Sequence, residues 1–260
     1  MSAAKPKLHA DNVVVRLGDA LIVDGAALDL RAGELTVLIG PNGAGKTTLM
    51  RALAGLVPAE GRIEIEGKPL ASLTVRDRAR RIAYLPQGHV FHWPMPVAAV
   101  VALGRYAYGD AFSTLSDADR HAVGKALAAT GTEAFATRAV TTLSGGERAR
   151  VALARALACE APILFADEPT VSLDPRHQLV VMELLARAAH DGGAVLAIGH
   201  DLSLAARFAD RIVIMDRGRL VADGAPRDVL TVERIAAVFG VEAFIADDAT
   251  GSHPILLRPL

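Results

Sequence analysis

Cysteine is almost absent: Cys159 stands alone in 260 residues. A lone thiol excludes an intrachain disulfide framework and any cysteine-based zinc site, and it suits a reducing compartment. Aromatic residues make up only 4% of the chain, with a single tryptophan, and the formal net charge is −1. So balanced a charge argues against a nucleic-acid partner held by a broad basic face. No apolar run approaches the ~18–20 residues that span a bilayer. Residues 1–10 carry no apolar stretch of the kind a secretory signal needs. A soluble cytoplasmic chain without its own membrane span is expected. What the sequence does have is apolar bulk, 52% hydrophobic. That share excludes a disordered polymer and supports one sizeable core with a smaller appended subdomain.

Short apolar runs of strand length at 35–39, 163–166, 195–198 and 212–215 alternate with helical patterns. This alternation predicts an α/β fold with a largely parallel sheet. After the first run come a glycine-rich turn and a helix over about 46–54, stopped by Gly55. Asp174 and Pro175 open a helix that runs to His190, as N-cap and first helical residue. Asp201 caps a shorter helix ending near Phe208. Residues 13–30 and 61–65 alternate with period two between glycine turns, which suggests a small antiparallel sheet beside the core. Residues 97–137 are helical in pattern with no strand candidate, hence a separate helical unit. The cluster Arg76, Arg78, Arg80 and Arg81 reads as a solvated helix face.

The segment Gly40-Pro41-Asn42-Gly43-Ala44-Gly45-Lys46-Thr47, followed by Thr48, matches G-x-x-x-x-G-K-[ST]. From this chain's 23 Gly, 5 Lys and 21 Ser+Thr, roughly 0.003 chance matches are expected. Glycines let successive backbone N–H groups face phosphates at the positive end of a helix. Lys46 then reaches the β- and γ-phosphates and the Thr47 hydroxyl can ligate Mg²⁺. The chain is expected to bind a nucleoside triphosphate.

A second element completes such a site. Residues 163–166 form an apolar strand that ends in Asp167 and Glu168. Carboxylates at the end of a buried strand are costly unless they face a ligand. Asp167 is placed to hold Mg²⁺ through water, and Glu168, projecting oppositely to Asp167 if the strand persists, can polarise an attacking water. Taken alone, the pair also reads as a helix cap or a surface ion pair. Ser144-Gly145-Gly146-Glu147 precedes a helical stretch and has capping-box spacing. The same hydroxyl, glycine N–H groups and helix N-terminus also make an anion site.

The ordered set GPNGAGKT, Gln87, LSGGE, ILFADE, Ser172-Leu173-Asp174 and His200 resembles the nucleotide-binding subunit of ABC transporters over nearly the whole chain. The resemblance implies a P-loop NTPase (RecA-like) core with a largely parallel sheet, a small N-terminal antiparallel β subdomain and an inserted helical subdomain. Residues 1–260 would form one ABC-type nucleotide-binding domain, with the helical subdomain at about 90–160. It also implies a head-to-tail homodimer with two ATPs sandwiched between subunits. Each ATP would sit on Lys46 and Thr47 of one copy and meet Ser144 and Gly146 of the other. Gln87 would touch Mg²⁺ or water and sense a membrane partner, His200 would contact the γ-phosphate, and Asp174 would link the two sites. Read singly, Gln87 is a loop amide, His200 a strand-end histidine and Asp174 a cap. The sequence departs from the family at Leu17, which stands where the family usually carries an aromatic ring stacked on adenine.

Two further stretches refine the resemblance. Val101-Ala102-Leu103-Gly104-Arg105-Tyr106, and the C-terminal runs Val238-Phe239-Gly240-Val241 and Thr250-Gly251-Ser252-His253-Pro254, are similar to ATPases of importers for iron–siderophore, haem and cobalamin complexes. That group implies permease subunits, a substrate-binding protein behind them, and a peripheral position on the cytoplasmic face of the inner membrane. The alternatives are the ATPase of another ABC class, a soluble iron–sulfur assembly ATPase, and a binding module without turnover. Residues 88–96 carry Phe91, Trp93 and Met95 among prolines that disfavour a helix. They read either as a groove for a short permease helix or as a satellite core. His89 and His92 lack an acidic or cysteine partner for a metal, and Cys159 reads as a small helix residue.

Overall fold

A computed structural model describes residues 5–88, 90–109, 114–248 and 251–260. His89, Thr250 and residues 110–113 of the helical stretch lie outside the described residues. The chain opens with β1 (Leu8–Leu17), β2 (Ala20–Leu30) and β3 (Glu34–Ile39), then α1 (Lys46–Leu53), β4 (Glu60–Ile65), β5 (Lys68–Pro69), α2 (Val75–Ala79) and β6 (Ile82–Leu85). Helices α3 (Val97–Ala102), α4 (Asp117–Thr130) and α5 (Gly145–Leu157) follow. Next come β7 (Ile163–Ala166), α6 (Pro175–His190), β8 (Ala194–Ile198), α7 (Leu202–Phe208), β9 (Arg211–Asp216) and β10 (Arg219–Gly224). The chain closes with α8 (Pro226–Val229), α9 (Val232–Phe239) and the hairpin β11 (Val241–Asp248) and β12 (Gly251–Pro259).

Six strands form the central sheet in the order β10-β9-β3-β8-β7-β6. Pairings within β9-β3-β8-β7-β6 are parallel, and only β10 joins antiparallel. Both faces are covered, which is why its strands are continuous apolar runs rather than alternating ones. Val37, Leu164 and Ala197 pack with α5, α6 and α7 on one face. Leu38, Phe165, Leu196 and Val213 pack with α1, β1 and β2 on the other. Phe165 is fully buried, and truncating it to alanine would cost about 3–5 kcal/mol.

The antiparallel sheet β2-β1-β4-β5 lies beside this core and starts at Leu8, earlier than the alternation suggested. Helices α3, α4 and α5 enclose a third apolar cluster of their own, centred on Val97, Val101, Val123 and Val151. The Gly104-Arg105 dipeptide knits these helices together. A Cβ at Gly104 would lie 2.2 Å from Arg155 O, so only glycine permits the approach. Arg105 is buried, pairs with Asp119 at 2.8 Å and lies 3.8 Å from the Tyr108 ring centroid. This motif is a packing node. Among the described residues no helix is long and apolar enough to cross a membrane.

The arginine cluster departs from the sequence reading. Arg76 and Arg80 each donate from Nε to Ala107 O at 2.9 Å, and Arg78 donates to Gly55 O at 2.8 Å. The cluster therefore caps backbone carbonyls of the helical part and of the α1 exit instead of facing solvent alone. Strand β6 and the β11–β12 hairpin were not anticipated. The hairpin is anchored to α7 where Ser203 Oγ donates to Pro254 O at 3.0 Å.

Candidate functional site

The parallel strands β3, β6, β7 and β8 all end at the same edge of the sheet. Crevices at the carboxyl ends of such strands are where open α/β sheets bind ligands. Here each strand releases a residue named above: the glycine loop after β3, Gln87 after β6, Asp167 and Glu168 after β7, and His200 after β8.

The loop has its shape because two glycines allow it. Gly40 has φ 154° and a Cβ there would lie 2.0 Å from Met215 O; Gly45, with φ 102°, ends the loop as the N-cap of α1. The buried Lys46 folds back over the loop, donating from Nζ to Gly40 O at 2.7 Å and to Pro41 O at 2.9 Å. Burial pulls the Lys46 ammonium below its usual range, opposed by the nearby Glu168 and Asp167 carboxylates. Thr47 Oγ1 donates to Asp167 Oδ1 at 2.9 Å.

Asp167 is fully buried, and its second oxygen accepts from the Tyr84 hydroxyl at 2.9 Å. Burial, with the charge of Asp167 adding to it, pushes the Tyr84 phenol up to about 12. It remains a protonated donor throughout the physiological range. Sequence reasoning missed Tyr84. Its only local signal is a lone tyrosine in the apolar run before Pro86 and Gln87.

Glu168 does not owe its direction to strand alternation, because β7 stops at Ala166. Its backbone is instead left-handed, φ 50°, a conformation that costs a non-glycine residue about 1 kcal/mol or more. From this turn the Glu168 carboxylate has partners different from those of Asp167. Gln87 Nε2 donates to Glu168 Oε2 at 2.6 Å, and His200 Nε2 lies 2.6 Å from Glu168 Oε1. Lys46, Thr47, Asp167, Glu168, Gln87 and His200 thus form one connected cluster.

The other sequence candidates stand apart from it. Ser144 and Glu147 form the capping box of α5: Ser144 Oγ accepts from Glu147 N at 3.3 Å and Ser144 N donates to Glu147 Oε2 at 2.7 Å. The Ser144 N–H holds the Glu147 carboxyl below its usual range. Asp174 caps α6 by accepting from His177 N at 2.9 Å, which holds its carboxyl low as well. Leu17 ends β1 opposite Ala20 and is half exposed. Trp93 is 73% exposed, whereas Phe91 and Met95 turn inward against the core clusters. A core role for Trp93 is therefore excluded. Among the described residues, no group of three or more His, Cys, Asp or Glu could hold a metal by itself.

Comparison with known proteins shows the family to which the chain belongs. A family model described as "ABC transporter" matches residues 23–171. A hemin import ATP-binding protein of Nocardia farcinica is 45% identical over 237 residues, 90% of this chain and 82% of that protein. A cobalamin import ATP-binding protein of Halobacterium salinarum is 44% identical over 255 residues, 97% of this chain against 64% of the relative. An inward-facing structure assigned to a metal-chelate type ABC transporter superposes with TM-score 0.84 at 25% identity, covering 98% of each chain. With the glycine loop, the strand-end carboxylates and more than half of its length inside the family model, this chain belongs to the ABC transporter family as one of its ATPase cassettes.

Proposed function

We propose that this chain is the ATP-binding and ATP-hydrolysing subunit of an importer, powering uptake of an iron chelate, haem or cobalamin through a membrane permease. The observation that carries the chemistry is the cluster at the sheet edge, where one carboxylate meets the loop threonine and the next meets a glutamine and a histidine. The cargo class is supported by the names of the relatives and by the Leu103-Gly104-Arg105-Tyr106 run.

ATP would lie on residues 40–48, with the phosphates replacing Gly40 O and Pro41 O as partners of Lys46. The donor set suits Mg²⁺, which favours hard oxygen ligands and keeps several of its waters. The Thr47 hydroxyl, the Gln87 amide oxygen and, through water, Asp167 would hold it beside the phosphates. When bound, the ion neutralises phosphate charge. Glu168 acts as general base toward the attacking water, and Gln87 and His200 fix both of its oxygens. His200 then reaches the γ-phosphate, while Leu17 lies against adenine.

The reading includes a head-to-tail homodimer. Ser144, Gly145, Gly146 and Glu147 of one copy close over the ATP of the other, and Asp174 links the two sites. The reading also takes residues 1–260 as one domain with a helical subdomain at about 90–160, and the separate apolar cluster around α3, α4 and α5 supports it. The chain would work at the cytoplasmic face of the inner membrane, on permease subunits fed by a substrate-binding protein.

The test is to purify the chain from membranes with whatever it binds, reconstitute the assembly in vesicles, and measure phosphate release with hemin and with cobalamin. Co-purification of a polytopic membrane protein and cargo-stimulated hydrolysis are expected. Soluble partners alone would favour an assembly ATPase, and ATP binding without phosphate release would exclude the enzyme reading.

A further inference from the structure

His177 lies on the first turn of α6, three residues beyond Asp174, and its side chain is only 22% exposed. It makes two contacts of different kinds. Its ring Nδ1 lies 2.8 Å from Asp174 Oδ2, while its backbone N–H donates to Asp174 Oδ1 at 2.9 Å, so both oxygens of that carboxylate are held by one residue. The other edge of the ring faces Gly146. A Cβ built on Gly146 would fall 2.1 Å from His177 Cδ2 and 2.4 Å from Nε2, so the imidazole occupies the space that any other residue at 146 would need.

Gly146 and Asp174 belong to segments 28 positions apart (174 − 146), and each is already fixed to its own helix by a cap. The ring joins the two helix starts through a hydrogen bond on one side and van der Waals contact with backbone on the other. Nothing in the capping of α6 requires this, because Asp174 needs only the His177 N–H for that purpose. The shape of the ring against Gly146 is the additional feature.

We propose that His177 is a positioning residue that locks the Ser144–Glu147 turn to the Asp174 turn, so that both meet the partner copy's ATP as one rigid surface. The inference rests on the two-chain reading above. Presenting both turns in a fixed relation removes the cost of ordering them separately when the dimer closes. His177 itself touches no nucleotide. Its effect is on dimer closure and not on ATP binding by the single chain.

The experiment uses the full chain carrying Glu168→Gln, which is expected to hold ATP and dimerise, alone and combined with His177→Ala or His177→Asn. Nucleotide affinity is titrated at chain concentrations too low for dimers, and ATP-dependent dimerisation is measured by sedimentation. His177→Ala should keep the single-chain affinity and weaken dimerisation about tenfold. His177→Asn keeps a side-chain donor for Asp174 but not the ring against Gly146, and should fall between the two. Equal dimerisation by all three proteins would overturn the inference while leaving the two-chain reading intact. Loss of single-chain nucleotide affinity in both His177 variants would also overturn it, by assigning the residue to folding. Failure of Glu168→Gln itself to dimerise with ATP would remove the two-chain reading and the inference together.

Discussion

Glu168 and His200 leave adjacent parallel strands and meet at 2.6 Å, Oε1 to Nε2. Gln87, from a third strand of the same sheet, takes the other carboxylate oxygen. A carboxylate fixed at both oxygens has one orientation, which is what a base toward a water molecule requires. Glu168→Gln preserves the shape of the side chain and one of its two acceptor oxygens while removing the basic charge. It should bind ATP about as well as the parent and lose roughly 10²–10⁴-fold in turnover. Single-turnover phosphate release measures this directly, and near-parental turnover would take the role away from Glu168.

Tyr84 gives a prediction of another kind, because its phenol supports a buried charge. Tyr84→Phe leaves one oxygen of Asp167 without its hydroxyl donor, and a loss of about 1–3 kcal/mol in chemical unfolding is expected. The pH dependence has a definite sign. The phenol titrates near its ordinary value in the unfolded chain and at about 12 in the folded one. Between those values the folded state binds more protons than the unfolded state, so stability falls as pH rises from about 10 toward 12. Below about 10 this contribution is fully present. Tyr84→Phe should lack that alkaline slope, and parallel slopes in both proteins would show that the phenol is not the group responsible.

Much of this geometry was legible before any coordinates, and the exceptions have a common cause. The glycine loop, the strand ending in two carboxylates and the helix opened by Asp174 and Pro175 are local patterns, set by caps, φ preferences and burial over a few residues. Tyr84 stands 83 positions from Asp167, and no periodicity connects them. The arginines of α2 looked solvated because their carbonyl partners at Gly55, Ala107 and Gly109 lie 23 to 33 positions away. Strand β6 was missed because four residues between an arginine cluster and a proline give too short a run to show a period. His177 illustrates the same limit: its contact with Asp174 is local, but its contact with Gly146 exists only after folding.

Leu17 makes base recognition testable. The side chain is 51% exposed at the end of β1, so a larger ring can be placed there without overpacking the core. Stacking of an aromatic ring on a base contributes ~1–3 kcal/mol in nucleic-acid binders. With leucine instead, GTP should bind within about tenfold of ATP. Leu17→Tyr should tighten ATP binding without weakening the fold. Equilibrium titration with both nucleotides checks this, and a strong ATP preference in the parent would mean that another residue reads the base.

Trp93 is the sole tryptophan, yet it is 73% exposed, with the His92 ring edge-on at 6.2 Å beside it. Its neighbours Phe91 and Met95 face inward and tie the segment to two apolar clusters. The loop is thus held from beneath while its largest apolar side chain faces outward, close in sequence to Gln87. Exposed tryptophans on a supported surface are the residues that most often dominate protein–protein contacts. In the importer reading the partner is a short cytoplasmic helix of the permease, and Gln87 passes its position on to Glu168. Trp93→Ala should therefore leave the unfolding free energy within about 0.5 kcal/mol of the parent, as expected for an exposed site. Capture of the permease from detergent-solubilised membranes should fall by tenfold or more, since removing such an anchor typically costs about 2 kcal/mol or more. Normal capture and transport by Trp93→Ala would mean that the permease docks on another face of the cassette.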